Sequence, residues 1–146
     1  MKKSVISFLV LGGVLGASGS TSLAQGQFKL PQPDLSVVRQ CVLDNRGDLQ
    51  TAAQCYASFD SICFDKWFDH YSVCLPQEAA YWSDALNKEL ERAGAPEKRA
   101  QINTNMSVAC PTPRARHRQI CEARYLRDNT VLLHIRRTWG QVPAAD

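Results

Sequence analysis

The sequence predicts an all-α fold, a disulfide-stapled antiparallel bundle of four or five helices. Apolar residues recur at steps of three and four along most of the chain, whereas almost nothing alternates residue by residue as a half-buried strand does. Glycines and prolines punctuate those stretches at the intervals that short interhelical connections need. Six cysteines supply an even count for bridging. With 146 residues, 45% hydrophobic and 21% charged, the chain has the balance of one ordinary globular domain, which excludes a disordered tail or a membrane bundle.

At the N-terminus Lys2 and Lys3 precede an apolar run from Val5 to Ala17, and a small-residue stretch ends in Ser22-Leu23-Ala24. This is the pattern of a secretory signal peptide, with cleavage expected after Ala24. The apolar run is far shorter than the roughly 20 residues a membrane-spanning helix needs. Lipoprotein processing is disfavoured, because the first cysteine is Cys41. The expected layout is a signal peptide over 1–24, an extended arm over 25–33, a single helical domain over 34–140 and a tail over 141–146, in a periplasmic or secreted protein.

Asp34 can cap a first helix in which Leu35, Val38 and Val42 share a face, closing at Asn45-Arg46-Gly47. Asp48 caps a second, whose apolar positions Leu49, Ala52, Tyr56, Phe59 and Cys63 keep the spacing of a helix seam. The aromatic stretch from Trp67 to Tyr71 fits either helix or packed loop. Pro76 suits the first turn of a third helix carrying Ala79, Trp82, Leu86 and Leu90, ended by Gly94 and Pro96. A weaker fourth helix over 97–109 places Ile102, Met106 and Ala109 together, though Asn103, Thr104 and Asn105 lower its propensity. Beyond Pro111-Thr112-Pro113 the last helix runs from about Arg116 to Trp139, with Cys121, Tyr125, Leu132, Ile135 and Trp139 in register. Asp128 interrupts that stripe, and a kink is expected near 128–130.

All six cysteines, Cys41, Cys55, Cys63, Cys74, Cys110 and Cys121, follow the expected cleavage site, so three disulfides are predicted. Fifteen connectivities are open to six cysteines. The layout favours the nearest-neighbour scheme, because each of Cys41/Cys55, Cys63/Cys74 and Cys110/Cys121 flanks a connection between helices, and each bridge contributes about 2 to 4 kcal/mol. Cys55 to Cys63 is excluded within one helix, where the rise alone separates them by about 12 Å.

The formal charge of +3 includes Lys2 and Lys3; without them 15 of the 17 basic residues face 14 acidic ones, a net of +1, and no nucleic-acid partner is implied. The distribution is lopsided: residues 25–91 carry 5 basic and 10 acidic side chains, residues 92–146 carry 10 and 4. Halves that pack with complementary charge explain this, and so does an exposed basic face that recruits an anionic partner. The densest cluster is Arg114, Arg116, His117 and Arg118, on a proline-stiffened loop between Cys110 and Cys121. A loop restricted in advance loses less entropy on binding, and guanidinium groups match carboxylates, phosphates or sulfates. The alternative is that these residues are the solvated first turn of the last helix, placed unfavourably against its dipole.

No catalytic or metal-binding set emerges, and no cofactor is expected. His70, His117 and His134 lie on different elements; Asp65 and Asp69, with His70 adjacent, have helical pair spacing but read as the solvated side of the aromatic stretch. There is no Gly-x-Ser-x-Gly elbow and no Cys-x-x-Cys pair. Glu78, Asp84, Glu89 and Glu91 line one helix as surface acids would, not as a glycosidase pair. The chain is therefore read as a binding protein and not as an enzyme.

One local pattern adds a family. Cys74-x-x-x-Glu78-x-x-x-Trp82 followed by Leu86-Asn87 resembles the opening of the LprI-type lysozyme-inhibitor domain family, small exported helical domains whose central helix is marked by a Cys, a Glu and a Leu-Asn pair. Cys41, Cys55 and Cys63 are similar to the cysteine-bearing N-terminal extension of its proteobacterial members, and Cys110, Cys121 and the helix to Trp139 fall where the family keeps its remaining cysteines and last helix. Three positions after Asn87 the family usually has Tyr; this chain has Leu90. The resemblance implies a structural role for Glu78, Trp82, Leu86 and Asn87. It also implies an exported inhibitor that occludes the cleft of a lysozyme-type muramidase, for which the Arg114–Arg118 loop is the candidate contact. The second reading is a non-inhibitory cell-envelope module that binds an anionic glycan, lipid headgroup or protein partner through the same face.

Overall fold

In the computed structural model the described residues are 30, 34–59, 63 and 71–141. The expected signal peptide, the arm apart from Leu30, the stretch 64–70 with Asp65, Asp69 and His70, and the tail from 142 lie outside them. Among the described residues there are five α-helices and no strand, and the bundle is all-α and stapled by three disulfides.

Asp34 starts the fold as expected: its Oδ1 accepts from the Ser36 backbone N–H at 2.9 Å, and a 3-10 turn over Leu35–Val38 leads into α1, Arg39–Asp44. Gly47, at φ 96°, lets the chain reverse, and Asp48 then caps α2, Leu49–Gln54, by accepting from the Thr51 N–H and hydroxyl at 3.0 and 2.7 Å. The second helix does not continue to Cys63. It tightens after Gln54 into i to i+3 bonds, and Ala57–Phe59 forms a 3-10 turn. The spacing misled because a 3-10 step of three carries Phe59 onto the same buried side as Ala52 and Tyr56. Leu49, expected on that seam, is exposed.

The third helix, α3, spans Tyr71–Arg92 and so begins five residues before Pro76, which lies inside it. Its start is held by the buried Cys74, bridged to Cys63, and by buried Leu75, while the proline ring points to solvent. Gly94 ends α3 at φ 68° with the Ala95 N–H bonded to the Leu90 carbonyl and its own N–H to Glu91, a Schellman cap. The same device with Gly140 closes α5, Ala115–Thr138. Between them α4, Lys98–Ala109, has no fully buried residue; Ile102 and Met106 pack on the core, Ala109 does not, and Arg99 donates to the Ser83 carbonyl and hydroxyl at 3.2 and 2.8 Å.

The largest interface joins α3 to α5. Trp82 meets Thr130 and Glu89 meets Arg137, both 48 residues apart, so the two helices run in the same direction while α4 returns between them. No break occurs at 128–130. Asp128 stays outside, paired with Arg127, and the Thr130 hydroxyl turns inward to donate to the Leu126 carbonyl at 2.7 Å within one continuous helix. The buried face of α5 is Ala123, Leu126, Thr130, Val131, His134 and Ile135, continued by Trp139; Cys121, Tyr125 and Leu132 are only half-buried.

The main core gathers Val38, Val42, Tyr56, Phe59, Trp82, Leu86, Leu90, Leu126, Ile135 and Trp139 from every helix but α4. A smaller cluster at the other end holds Leu30, Cys63, Cys74, Leu75 and Ala123, and there the Leu30 N–H donates to Gln77 Oε1 at 3.1 Å. At the main core's edge the Trp139 indole N–H donates to the Val42 carbonyl at 2.7 Å, and Arg46 donates to the Trp139 carbonyl at 2.6 Å. Val42 belongs to the last turn of α1, where carbonyls lack a helical partner. Trp139→Phe keeps the ring and leaves that carbonyl unpaired, so it should lower stability by about 1 to 3 kcal/mol in urea denaturation with all disulfides intact.

Candidate functional site

The predicted basic loop begins where α4 ends. Buried Cys110 is bridged to Cys121 in α5, with Cα atoms 5.7 Å apart, and the bridge closes the segment between them. Arg118 reaches back from the first turn of α5, donating through Nε and Nη2 to the Thr112 carbonyl at 3.1 and 3.0 Å. That clasp, with Pro111 and Pro113, fixes the path of the loop. Arg114, Arg116, His117 and Arg118 are all exposed. They crowd the positive end of a helix that has no side-chain cap and no acid in its first turn. A shallow hollow of about 480 Å³ continues along the same flank, lined by His117, Ile120, Cys121, Arg124, Tyr125 and Asp128.

The four motif residues of α3 do not share one environment. Trp82 and Leu86 are core, Asn87 is exposed, and Glu78 is buried near the smaller cluster. Burial pushes the Glu78 carboxyl above its ordinary range, opposed by the Cys63 backbone N–H, by the neighbouring Trp82 indole and by Arg127 and Arg124. The buried indole N–H has no hydrogen-bond partner among the described residues.

Glu89 also departs from its expected place on the surface. Asp84 and Glu91 are surface acids, but Glu89 is only 1% exposed. It projects from the seam between α3 and α5 and accepts from Arg92 Nη1 at 2.7 Å and from Arg137 Nε and Nη2 at 2.7 and 3.4 Å. Glu89 of the acid-rich stretch is thus paired with Arg92 and Arg137 of the base-rich one. With both oxygens held by guanidinium groups, Glu89 serves as an anchor and not as a free base.

Beside it the buried Tyr56 hydroxyl and His134 Nδ1 share a hydrogen bond. Burial, reinforced by Glu89, raises the phenol well above its usual range, and burial lowers the imidazole against the pull of Glu89. Burial thus favours the neutral form of the ring. Above this layer a pocket of about 490 Å³ opens between the Asp34–Arg39 turn, α3 and α5. Tyr81 stands on its wall, its phenol pushed up to about 12 by burial, with Asp34 and Asp84 adding to the effect.

Among the described residues no three His, Cys, Asp or Glu side chains converge as a metal site, and His117 and His134 lie on separate parts of α5. The sequence reading missed the Glu89 cluster, although a signal was present: Glu89 falls three residues after Leu86 and seven after Trp82, on the apolar stripe itself. Comparison of the chain with family models, curated proteins and solved structures found no match.

Two outcomes follow from these environments. Glu89→Gln leaves two guanidinium groups competing for a neutral amide and should cost about 3 kcal/mol, the lower end of the range for broken buried pairs because both arginines are partly exposed, read from urea denaturation. Glu78 has its pKa raised on folding, so its contribution is complete below the unfolded value near 4.5 and fades as pH rises through the folded value. Relative to wild type, Glu78→Gln should thus gain stability between pH 4 and pH 7.5; a pH-independent difference would contradict a buried, titrating carboxyl.

Proposed function

We propose that the protein is an exported, non-enzymatic binding protein that inhibits a lysozyme-type muramidase by presenting the Arg114–Arg118 loop to the enzyme's carboxylate-lined cleft. The observation that carries this reading is the preorganised loop itself: Arg114, Arg116, His117 and Arg118 are exposed on a segment closed by Cys110–Cys121 and clasped by Arg118 onto Thr112. A loop held in one path loses little conformational freedom on insertion, and its cations meet the charge that such a cleft presents. The cluster is unfavourable for the helix it starts, which supports a role outside the fold.

Three formed disulfides suit an oxidising compartment, in keeping with the signal peptide expected at 1–24, and no described helix is long and apolar enough to cross a membrane. The similarity of Cys74, Glu78, Trp82, Leu86 and Asn87 to the LprI-type motif supports the choice of target. The exposed guanidinium groups also fit the second reading, an envelope module that binds an anionic glycan, lipid headgroup or protein through the same face.

Purified, oxidised protein assayed against a panel of lysozyme types should inhibit at least one stoichiometrically, with loss on reduction. Replacing Arg114, Arg116 and Arg118 together by Ala should weaken that inhibition at least tenfold. A folded, helical sample that inhibits none of the panel overturns the inhibitor reading; release of an anionic glycan that steepens with salt then favours the envelope module.

A further inference from the structure

We infer that the pocket above Glu89 is a binding site for a small organic monocarboxylate of sugar-acid size, separate from the basic loop. Its lining contains four cations, Arg39, Lys88, Arg92 and Arg137, and three anions, Asp34, Asp84 and Glu89. Most of this charge is already matched. Lys88 holds Asp84 at 2.6 Å, and Glu89 holds Arg92 and Arg137.

One carboxylate between two guanidinium groups leaves that triad with one positive charge in excess. Arg39, across the pocket, makes no ion pair among the described residues and lies close enough to influence His134. The lining as a whole is left one positive charge in excess, with His134 neutral, so a single negative charge balances it.

Charge balance and geometry together select the form of that anion. Glu89, buried at the pocket floor, fixes two planar guanidinium groups, so the donors that remain are oriented before any ligand arrives. Planar forks match a carboxylate or a phosphate through paired hydrogen bonds, and the single excess positive charge suits the one negative charge of a carboxylate better than the nearly two of a phosphate monoester. Leu35, Ala85 and the ring of Tyr81 provide apolar wall for a carbon skeleton, while Ser36 and Thr138 provide hydroxyl groups for its polar substituents. At about 490 Å³ the space is in the range of pockets that take small ligands, large enough for a monosaccharide acid.

Isothermal titration calorimetry of the oxidised protein with D-glucuronate, D-glucose and D-glucose 6-phosphate tests this. Saturable one-to-one binding of glucuronate is expected, at least tenfold tighter than either glucose or the phosphate. Arg39→Ala should weaken glucuronate at least tenfold with an unchanged melting temperature, because Arg39 is exposed and braces no other group. The Arg114/Arg116/Arg118→Ala protein should bind glucuronate as wild type does, which separates this site from the inhibitor reading. Absence of saturable binding, equal affinity for glucose, tighter binding of the phosphate, or an unaltered Arg39→Ala affinity would each overturn the assignment.

Discussion

Two helices that run in the same direction with a whole helix between them in sequence stay in register only through contacts that are specific along their length. The seam between α3 and α5 meets that requirement at successive levels. Leu75 and Ala123 share the smaller cluster, Trp82 lies against Thr130, and Glu89 grips Arg137. Apolar packing supplies the affinity of the seam, and it would tolerate some sliding. Glu89 does not, because a shift of one turn would remove Arg137, which holds both of its oxygens, and leave the buried carboxylate to Arg92 alone. The first two helices then close over this pair through Val42, Tyr56 and Trp139, and α4 is fastened afterwards by Arg99 and two half-buried apolar side chains.

The disulfides act on a different scale. They span 14, 11 and 11 residues, so each fixes the angle between neighbours and none ties the two ends of the chain. Global topology rests on the core and on the buried polar contacts, while the bridges restrict the unfolded chain around each connection. This division explains why the loop near Arg114 can be rigid although it belongs to no packed interface. Its order comes from Cys110–Cys121 and from Arg118 on Thr112.

Local chemistry made much of the architecture legible in the sequence. Asp34 and Asp48 announced their caps, Gly47 and Gly94 their reversals, and cysteines placed on either side of connections their pairing. Reading failed where polar atoms lie on buried faces. A stripe drawn through apolar residues runs over Cys121, Tyr125 and Leu132, which are half-buried, and leaves out Thr130 and His134, which are buried. Glu89 was taken for a surface acid because its partner Arg137 is distant in sequence. Periodicity records hydrophobicity and not compensation, so a charge that is satisfied inside the fold looks the same as one in water. The basic loop was visible as composition; the backward clasp of Arg118 was not.

The pairing of each cysteine with the next one along the chain bears on how the molecule is made. A chain delivered from its N-terminus to an oxidant would present Cys41 and Cys55 before Cys63, then Cys63 and Cys74 before Cys110. At every stage the partner that is correct is also the one that has just arrived. The native set of bonds can thus be written in order, one after another, without a wrong bond that must later be undone. Consecutive pairing of this kind reduces the number of exchanges between a newly oxidised chain and its native bonds.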